Sequence, residues 1–274
     1  MSVIVFSHAN SFPASTYGVM FKSLRARGFT VKAVEKFGHD PKFPVTNNWR
    51  HLVDQLAEFA QRETDKAGEP AFLVGHSLGG FLSLMAACLH PALAKGVLLI
   101  DSPILGGWRA TTLGVIKRTQ LVGSVSPAAV SRLRRNSWPD EAAALEHFRH
   151  KKAFARWDPQ VLHDYIHHGT HDDAEGKRVL SFDRAVETAI YNTLPDNLDR
   201  TLRRHPLKCP AAFIGGRQSA EMKQVGMTLT LRIVGSTGDA LGRVTMLDGS
   251  HLFPMEKPLA TAAAIEASLR NLMG

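Results

Sequence analysis

Long apolar runs are missing from this chain of 274 residues: none approaches the ~20 residues that a helix needs to cross a bilayer, so no membrane partner is expected. Cysteine is almost absent. Cys88 lies inside an apolar helical pattern and Cys209 precedes a strand, so the simplest reading is two reduced thiols, and a disulfide framework is excluded as the source of stability. The opening Met1-Ser2-Val3-Ile4-Val5-Phe6 has no basic leader and enters a strand pattern at once, which speaks against a cleaved signal peptide and for a cytoplasmic protein. Gly215-Gly216 stands without G-x-G-x-x-G or a P-loop lysine, so it carries no phosphate-binding argument. His163 and His167 share a helix face, yet the third ligand and the glutamate of H-E-x-x-H are missing, and no metal is expected. No other cofactor is implied.

Negative charge is in deficit. Thirty-three Lys and Arg face 25 Asp and Glu, a formal excess of +8, with short clusters at Arg132-Arg134-Arg135, His150-Lys151-Lys152 and Arg203-Arg204. No nucleic-acid-binding module accompanies them, so the excess reads as a solvated basic surface and no nucleic-acid partner is expected.

What is present is an ordinary globular composition, 44% hydrophobic and 21% charged, with an alternation of short apolar runs and amphipathic stretches. That alternation is the pattern of a parallel sheet covered by helices. Strands are predicted at Val3–Phe6, Phe29–Val34, Ala71–Gly75 and Gly96–Ile100, with helices from Asn48 to about Lys66 and from near Leu78. From about Ile104 to His205 the alternation stops, and the sequence, rich in Arg, His, Ala and Trp, reads as helical. Strand signals return at Ala211–Ile214 and Arg243–Leu247, and a last helix spans about Leu259–Leu272. The organisation expected is an α/β core over residues 1–103 and 206–274, interrupted by a helical lid over residues 104–205. The aromatic residues there, including Trp108, Trp138, Trp157, Phe148, Phe154 and Tyr165, read chiefly as the lid's own packing, with some lining a pocket.

The strongest chemical signal is Gly75-His76-Ser77-Leu78-Gly79, a G-x-S-x-G lying between a short apolar strand and a helix. Small residues on both sides let the backbone turn tightly, so that the Ser77 hydroxyl projects above the sheet. Serine needs a base to become a nucleophile. His251, in a loop between the last strand and the last helix, supplies one in the expected chain order.

On these motifs the sequence resembles the α/β-hydrolase superfamily, in particular its cap-bearing branch, over essentially the whole chain. The resemblance implies an α/β-hydrolase fold: a mostly parallel sheet of about six strands flanked by helices, lacking the family's first two strands, with an inserted helical cap. Ser7-His8-Ala9-Asn10-Ser11-Phe12-Pro13 resembles the family's His-Gly-x-Pro loop, which implies an oxyanion hole from the amides of Asn10 and Leu78. The family most often carries its triad acid after the penultimate strand, but this chain has Gly215-Gly216-Arg217-Gln218-Ser219-Ala220-Glu221 there. Asp101, at the tip of the strand after the nucleophile helix, is the better substitute, as in branches that take their acid from that strand. Glu221 is the alternative.

The function expected is hydrolysis of a carboxylic ester or thioester through an acyl-enzyme on Ser77, His251 and Asp101, with a small-molecule substrate as partner and a homodimer as the candidate assembly. The basic lid and the likeness to thioester hydrolases bring an acyl-CoA-like substrate into view. Two other readings stay open: cleavage of a C–C bond or amide at the same site, and a catalytically silent small-molecule receptor.

Overall fold

The computed structural model describes residues 1–104, 127–235 and 241–273; Trp108 lies outside the described residues. Six strands form one sheet: β1 (Val3–Ser7), β2 (Thr30–Ala33), β3 (Ala71–His76), β4 (Ala94–Ile100), β8 (Ala211–Gly216) and β9 (Val244–Leu247). Their order is β2-β1-β3-β4-β8-β9, and every neighbouring pair is parallel. The sequences of β1, β3 and β8 are buried at every residue, as a sheet covered on both faces requires.

Side-chain alternation divides the core into two layers. Val3, Val5, Leu73, Val97, Leu99 and Phe213 point to one face, which α2 (Arg50–Ala67) and α3 (Leu78–Leu89) cover. Ile4, Phe6, Phe72, Val74, Leu98 and Ile100 point to the other, under α1 (Gly18–Ala26) and the Pro258–Leu272 helix. Cys88 and Cys209 are buried free thiols, and loss of hydration pushes them up to about 12 and about 11.

The register sets up the site. Ser7 pairs with Gly75, His76 with Ile100, and Ile100 with Ile214, so the carboxyl ends of four central strands finish at one level. Elements from Pro127 to Arg204 meet the core there. The Asn10 amide group donates to the Glu187 carbonyl, and the Asp158 N–H donates to the Met255 carbonyl.

Within this segment the helical expectation is incomplete. Helices Glu141–Arg149, Pro159–Gly169 and Arg184–Asn192 are present, the first two opened by side-chain caps from Asp140 and Asp158 and the third by one from Asp183. They accompany a small antiparallel sheet, β5 (Ser137–Trp138), β6 (Thr170–Asp172) and β7 (Arg178–Leu180), in the order β5-β7-β6. Runs of two or three residues are too short to register as a period-two pattern, which is why the sequence does not announce them. No helix among the described residues is long and apolar enough to cross a membrane.

The first turn of α3 crosses the end of β1 so closely that a Cβ on Gly79 would overlap the Ser7 carbonyl, a backbone group that cannot swing aside. Gly79→Ala is expected to lower the unfolding free energy by at least ~1–3 kcal/mol, the usual cost of overpacking. Gly242→Ala, whose Cβ would meet only the Asn271 side chain at 3.8 Å, should be nearly neutral. Urea unfolding of both variants checks this.

Candidate active site

Ser77 occupies the turn from β3 into α3 with φ 53° and ψ −117°, outside the regions that an L-residue adopts freely. Hydrogen bonds on both sides hold the strain. The Ser77 N–H donates to the Ile100 carbonyl at 3.0 Å, while its own carbonyl accepts from the Gly80 N–H at 3.0 Å and the Ser102 hydroxyl at 2.9 Å. The turn thereby aims the hydroxyl away from the sheet, at the N-terminus of a 12-residue helix.

His251 stands against this hydroxyl. Its Nε2 lies 3.0 Å from Ser77 Oγ and its Nδ1 lies 2.9 Å from Asp101 Oδ1. A carboxylate only accepts, so Nδ1 carries the proton and donates to Asp101, leaving Nε2 to accept from the serine. This tautomer is the one that can take the hydroxyl proton. Asp101 is 0% exposed, has φ 41°, and receives two more hydrogen bonds: from the Gly216 N–H at 2.6 Å and from the buried Ser219 hydroxyl at 2.6 Å. A Cβ on Gly216 would stand 2.5 Å from the Ser250 carbonyl, so glycine there lets β8 approach the loop bearing His251. Glu221 also reaches the ring, but more loosely: its Oε2 is 3.8 Å from Nδ1 and its side chain is 47% exposed. Among the described residues, Asp101, Glu221 and His251 are the one group of three His, Cys, Asp or Glu side chains whose ligand atoms lie within 4.8 Å of one another. The His251 ring already spends both nitrogens on protein partners. His163 and His167 stack at 6.0 Å and join no such group among the described residues.

The loop after β1 lies beside the serine. Three of its amides are engaged: Ala9 N–H with the Tyr17 hydroxyl at 3.1 Å, Ser11 N–H with Asn10 Oδ1 at 3.1 Å, and Phe12 N–H with the Ala9 carbonyl at 3.3 Å. Asn10 lines the same cleft as Ser77, and Leu78 follows the serine as the first residue of α3. Ser11, at φ 78°, donates to Glu187 Oε1 at 2.5 Å. Glu187 in turn pairs with Arg134 at 2.9 Å, and Arg134 donates to the Tyr165 hydroxyl at 2.7 Å. The sequence singles out none of Ser11, Glu187, Arg134 or Ser219 as site residues; only the serine standing where the family's acid is absent offered a signal.

These groups border a cleft of about 850 Å³. Of the insertion's aromatics, Phe148 and Phe154 line it, whereas Trp138, Trp157 and Tyr165 are buried in the packing beneath.

Two buried imidazoles brace the site from behind. The Tyr17 hydroxyl, which accepts from Ala9 N–H, lies 2.8 Å from His76 Nδ1, and His76 Nε2 lies 2.9 Å from the His251 carbonyl. A carbonyl only accepts, so Nε2 bears the proton and Nδ1 accepts from Tyr17. His8 is fixed the same way, with Nδ1 donating to the Ala9 carbonyl at 2.7 Å and Nε2 accepting from Phe37 N–H at 3.1 Å. Burial holds both rings neutral, lowering His76 to about 3 and His8 to about 4 from 6.5. Both titrate normally once unfolded, so the unfolded chain takes up protons first: stability is complete above pH 6.5 and falls as pH drops toward the folded values. Between pH 6.5 and 5 each ring should contribute a slope of about 1.4 kcal/mol per pH unit. In urea titrations, His8→Gln should flatten the pH dependence by that amount; an unchanged slope contradicts the neutral assignment.

The α/β-hydrolase family model matches residues 4–264. A monoglyceride lipase homolog from monkeypox virus is 25% identical over 172 residues, which is 59% of this chain and 62% of the viral protein, so the chain spans less than two thirds of that relative's length. Among solved structures, E-2-(acetamidomethylene)succinate hydrolase aligns with TM-score 0.73 at 21% identity, over 98% of this chain and 91% of that one. A thioesterase domain from the curacin biosynthetic pathway aligns with TM-score 0.69 at 19% identity, over 97% and 91%. A six-stranded parallel sheet with a strained serine at its carboxyl edge agrees with a family match across nearly the whole chain: the protein belongs to the α/β-hydrolase family.

Proposed function

We propose that the protein cleaves a carboxylic ester or thioester through an acyl-enzyme, with Ser77 as nucleophile, His251 as general base and Asp101 as the acid that orients it. The observation that carries this reading is the line Ser77 Oγ, His251, Asp101, with contacts of 3.0 and 2.9 Å between groups that follow three different strands. In the first step His251 Nε2 takes the Ser77 proton as Oγ attacks the carbonyl carbon, and the carbonyl oxygen becomes an oxyanion facing the amides of Leu78 and Asn10. The imidazolium returns the proton to the leaving alcohol or thiol as the C–O or C–S bond breaks. Water, deprotonated by His251, then releases the acid and regenerates the serine. Asp101 stays ionised throughout and stabilises the imidazolium.

In this reading the described part of residues 104–205 acts as a lid: it reaches the cleft through Phe148 and Glu187 on helices and through Arg134 and Phe154 outside them. Relatives named as a lipase and a thioesterase support acyl transfer as the reaction class. The neighbour named for an acetamido substrate keeps amide cleavage as the second reading.

Stoichiometric labelling by a fluorophosphonate, lost in Ser77→Ala, is the expected result; a folded native protein that does not label favours the receptor reading. On p-nitrophenyl esters, Asp101→Asn should lower kcat by roughly 10³–10⁴-fold through loss of the productive tautomer. Glu221→Gln should change it by less than about threefold, because an exposed charge is screened. The reverse order assigns the acid to Glu221.

A further inference from the structure

The cleft is electrically lopsided. Five cations line it, Arg134, Arg135, Lys151, Lys152 and Arg156, against three carboxylates, Glu187, Glu221 and Glu256. Two of the cations are neutralised in place. Arg134 pairs with Glu187 at 2.9 Å, and Arg156 pairs with Glu256 at 3.2 Å while donating to Gln218 at 2.5 Å; both carboxylates are nearly buried. The remaining carboxylate, Glu221, sits at the chemical end of the cleft, 3.8 Å from His251 Nδ1.

Arg135, Lys151 and Lys152 have no acidic partner among the described residues. Arg135 spends its Nε–H on the Ser137 carbonyl at 2.8 Å and lies over the Trp138 ring. Neither lysine ammonium pairs with a carboxylate of the described residues. Several other lysines do pair with acids: Lys42 with Glu58, Lys66 with Glu63, Lys95 with Glu69, Lys177 with Glu175 and Lys257 with Asp248. Two of these cations, Lys151 and Arg135, act on one region of space. The neighbouring His147 ring, which lines the same cleft, is held below its ordinary value by burial and then by the charges of Lys151 and Arg135. Phe148, Ala153 and Phe154 line the same cleft, an apolar surface suited to a short aliphatic chain.

We propose that the substrate carries an anionic group, a carboxylate or phosphate, that docks against Arg135, Lys151 and Lys152 while its ester or thioester carbonyl lies at Ser77. This rests on the reading of Ser77 as the nucleophile and adds the substrate class. A cleft whose unpaired charges share one sign concentrates ligands of the opposite sign and orients them along its axis, and that attraction weakens with salt. The anion has two chemical sources: the acyl part, as in a half-ester of a dicarboxylic acid, or the leaving group, as in a phosphate-bearing thiol.

Two matched pairs of substrates separate these sources. Mono-p-nitrophenyl glutarate against p-nitrophenyl butyrate tests an anion on the acyl side. Butyryl-CoA against the butyryl thioester of N-acetylcysteamine tests one on the leaving group. In one pair the anionic member should have kcat/KM about tenfold or more above its neutral partner at low salt, chiefly through KM, and 0.5 M NaCl should erase most of the difference. Lys151→Glu/Lys152→Glu should reduce the anionic-to-neutral ratio to one or below. Lys22→Glu/Lys208→Glu changes net charge equally at exposed sites away from the cleft and should leave the ratio intact.

A ratio of one in both pairs overturns the inference, as does a preference that survives charge reversal in the cleft, provided the protein hydrolyses the neutral members and labels at Ser77. Failure to hydrolyse all four compounds together with failure to label removes the Ser77 reading itself, so the two failures are distinct.

Discussion

A carboxylate sealed from water constrains this structure more than any other single group. Asp101 has no exposed surface, and an ion in that position is tolerated only if protein donors replace its hydration. Three do so: the Gly216 amide from the neighbouring strand, the Ser219 hydroxyl from the turn beyond it, and the His251 ring. Each depends on the β4–β8 register that sets Ile100 against Ile214, and on the loop after β9 coming close to β8. The β3–β4 register, which sets His76 against Ile100, directs the Ile100 carbonyl to the Ser77 amide. The sheet, the turn that bears the hydroxyl and the loop that bears the imidazole are therefore fixed by one set of bonds.

Much of this was legible in the sequence because the parallel strands are apolar runs and the turn residues are small. The boundaries of β1, β3, β4, β8 and β9 fall within two residues of those read from the pattern, and Ser77, His251 and Asp101 come together as the motifs imply. The sequence favours Asp101 over Glu221, and the structure adds what no local pattern carries, depth and distance: one carboxylate is buried at 2.9 Å and the other half-exposed at 3.8 Å. α1 went unannounced, since it opens on Gly18 and buries only Met20, Phe21 and Leu24. The chain from Ser11 through Glu187 to Arg134 joins residues up to 176 positions apart, and no local pattern encodes such a contact. The anchor at Ser219 shows how a missing aspartate is reconciled with the geometry: the serine donates to the carboxylate on the adjacent strand where an acid would have competed with it.

Strain is concentrated where chemistry is expected. Of five non-glycine residues with positive φ among the described residues, Ser11 and Ser77 line the cleft and Asp101 lies behind His251, which lines it too. Such conformations persist only when surrounding structure over-determines them, and each of the three is held by at least two hydrogen bonds. The two core layers provide the stiffness behind them, with the sheet buried on both faces.

The string of bonds from the Ala9 amide through Tyr17 and His76 to the His251 carbonyl runs in one direction only, every donor having a single acceptor to choose. It behaves as an internal strut between the loop that precedes the candidate anion cradle and the loop that carries the base. Displacement of one loop pulls on the other, so the span between cradle and imidazole is gauged from inside the core.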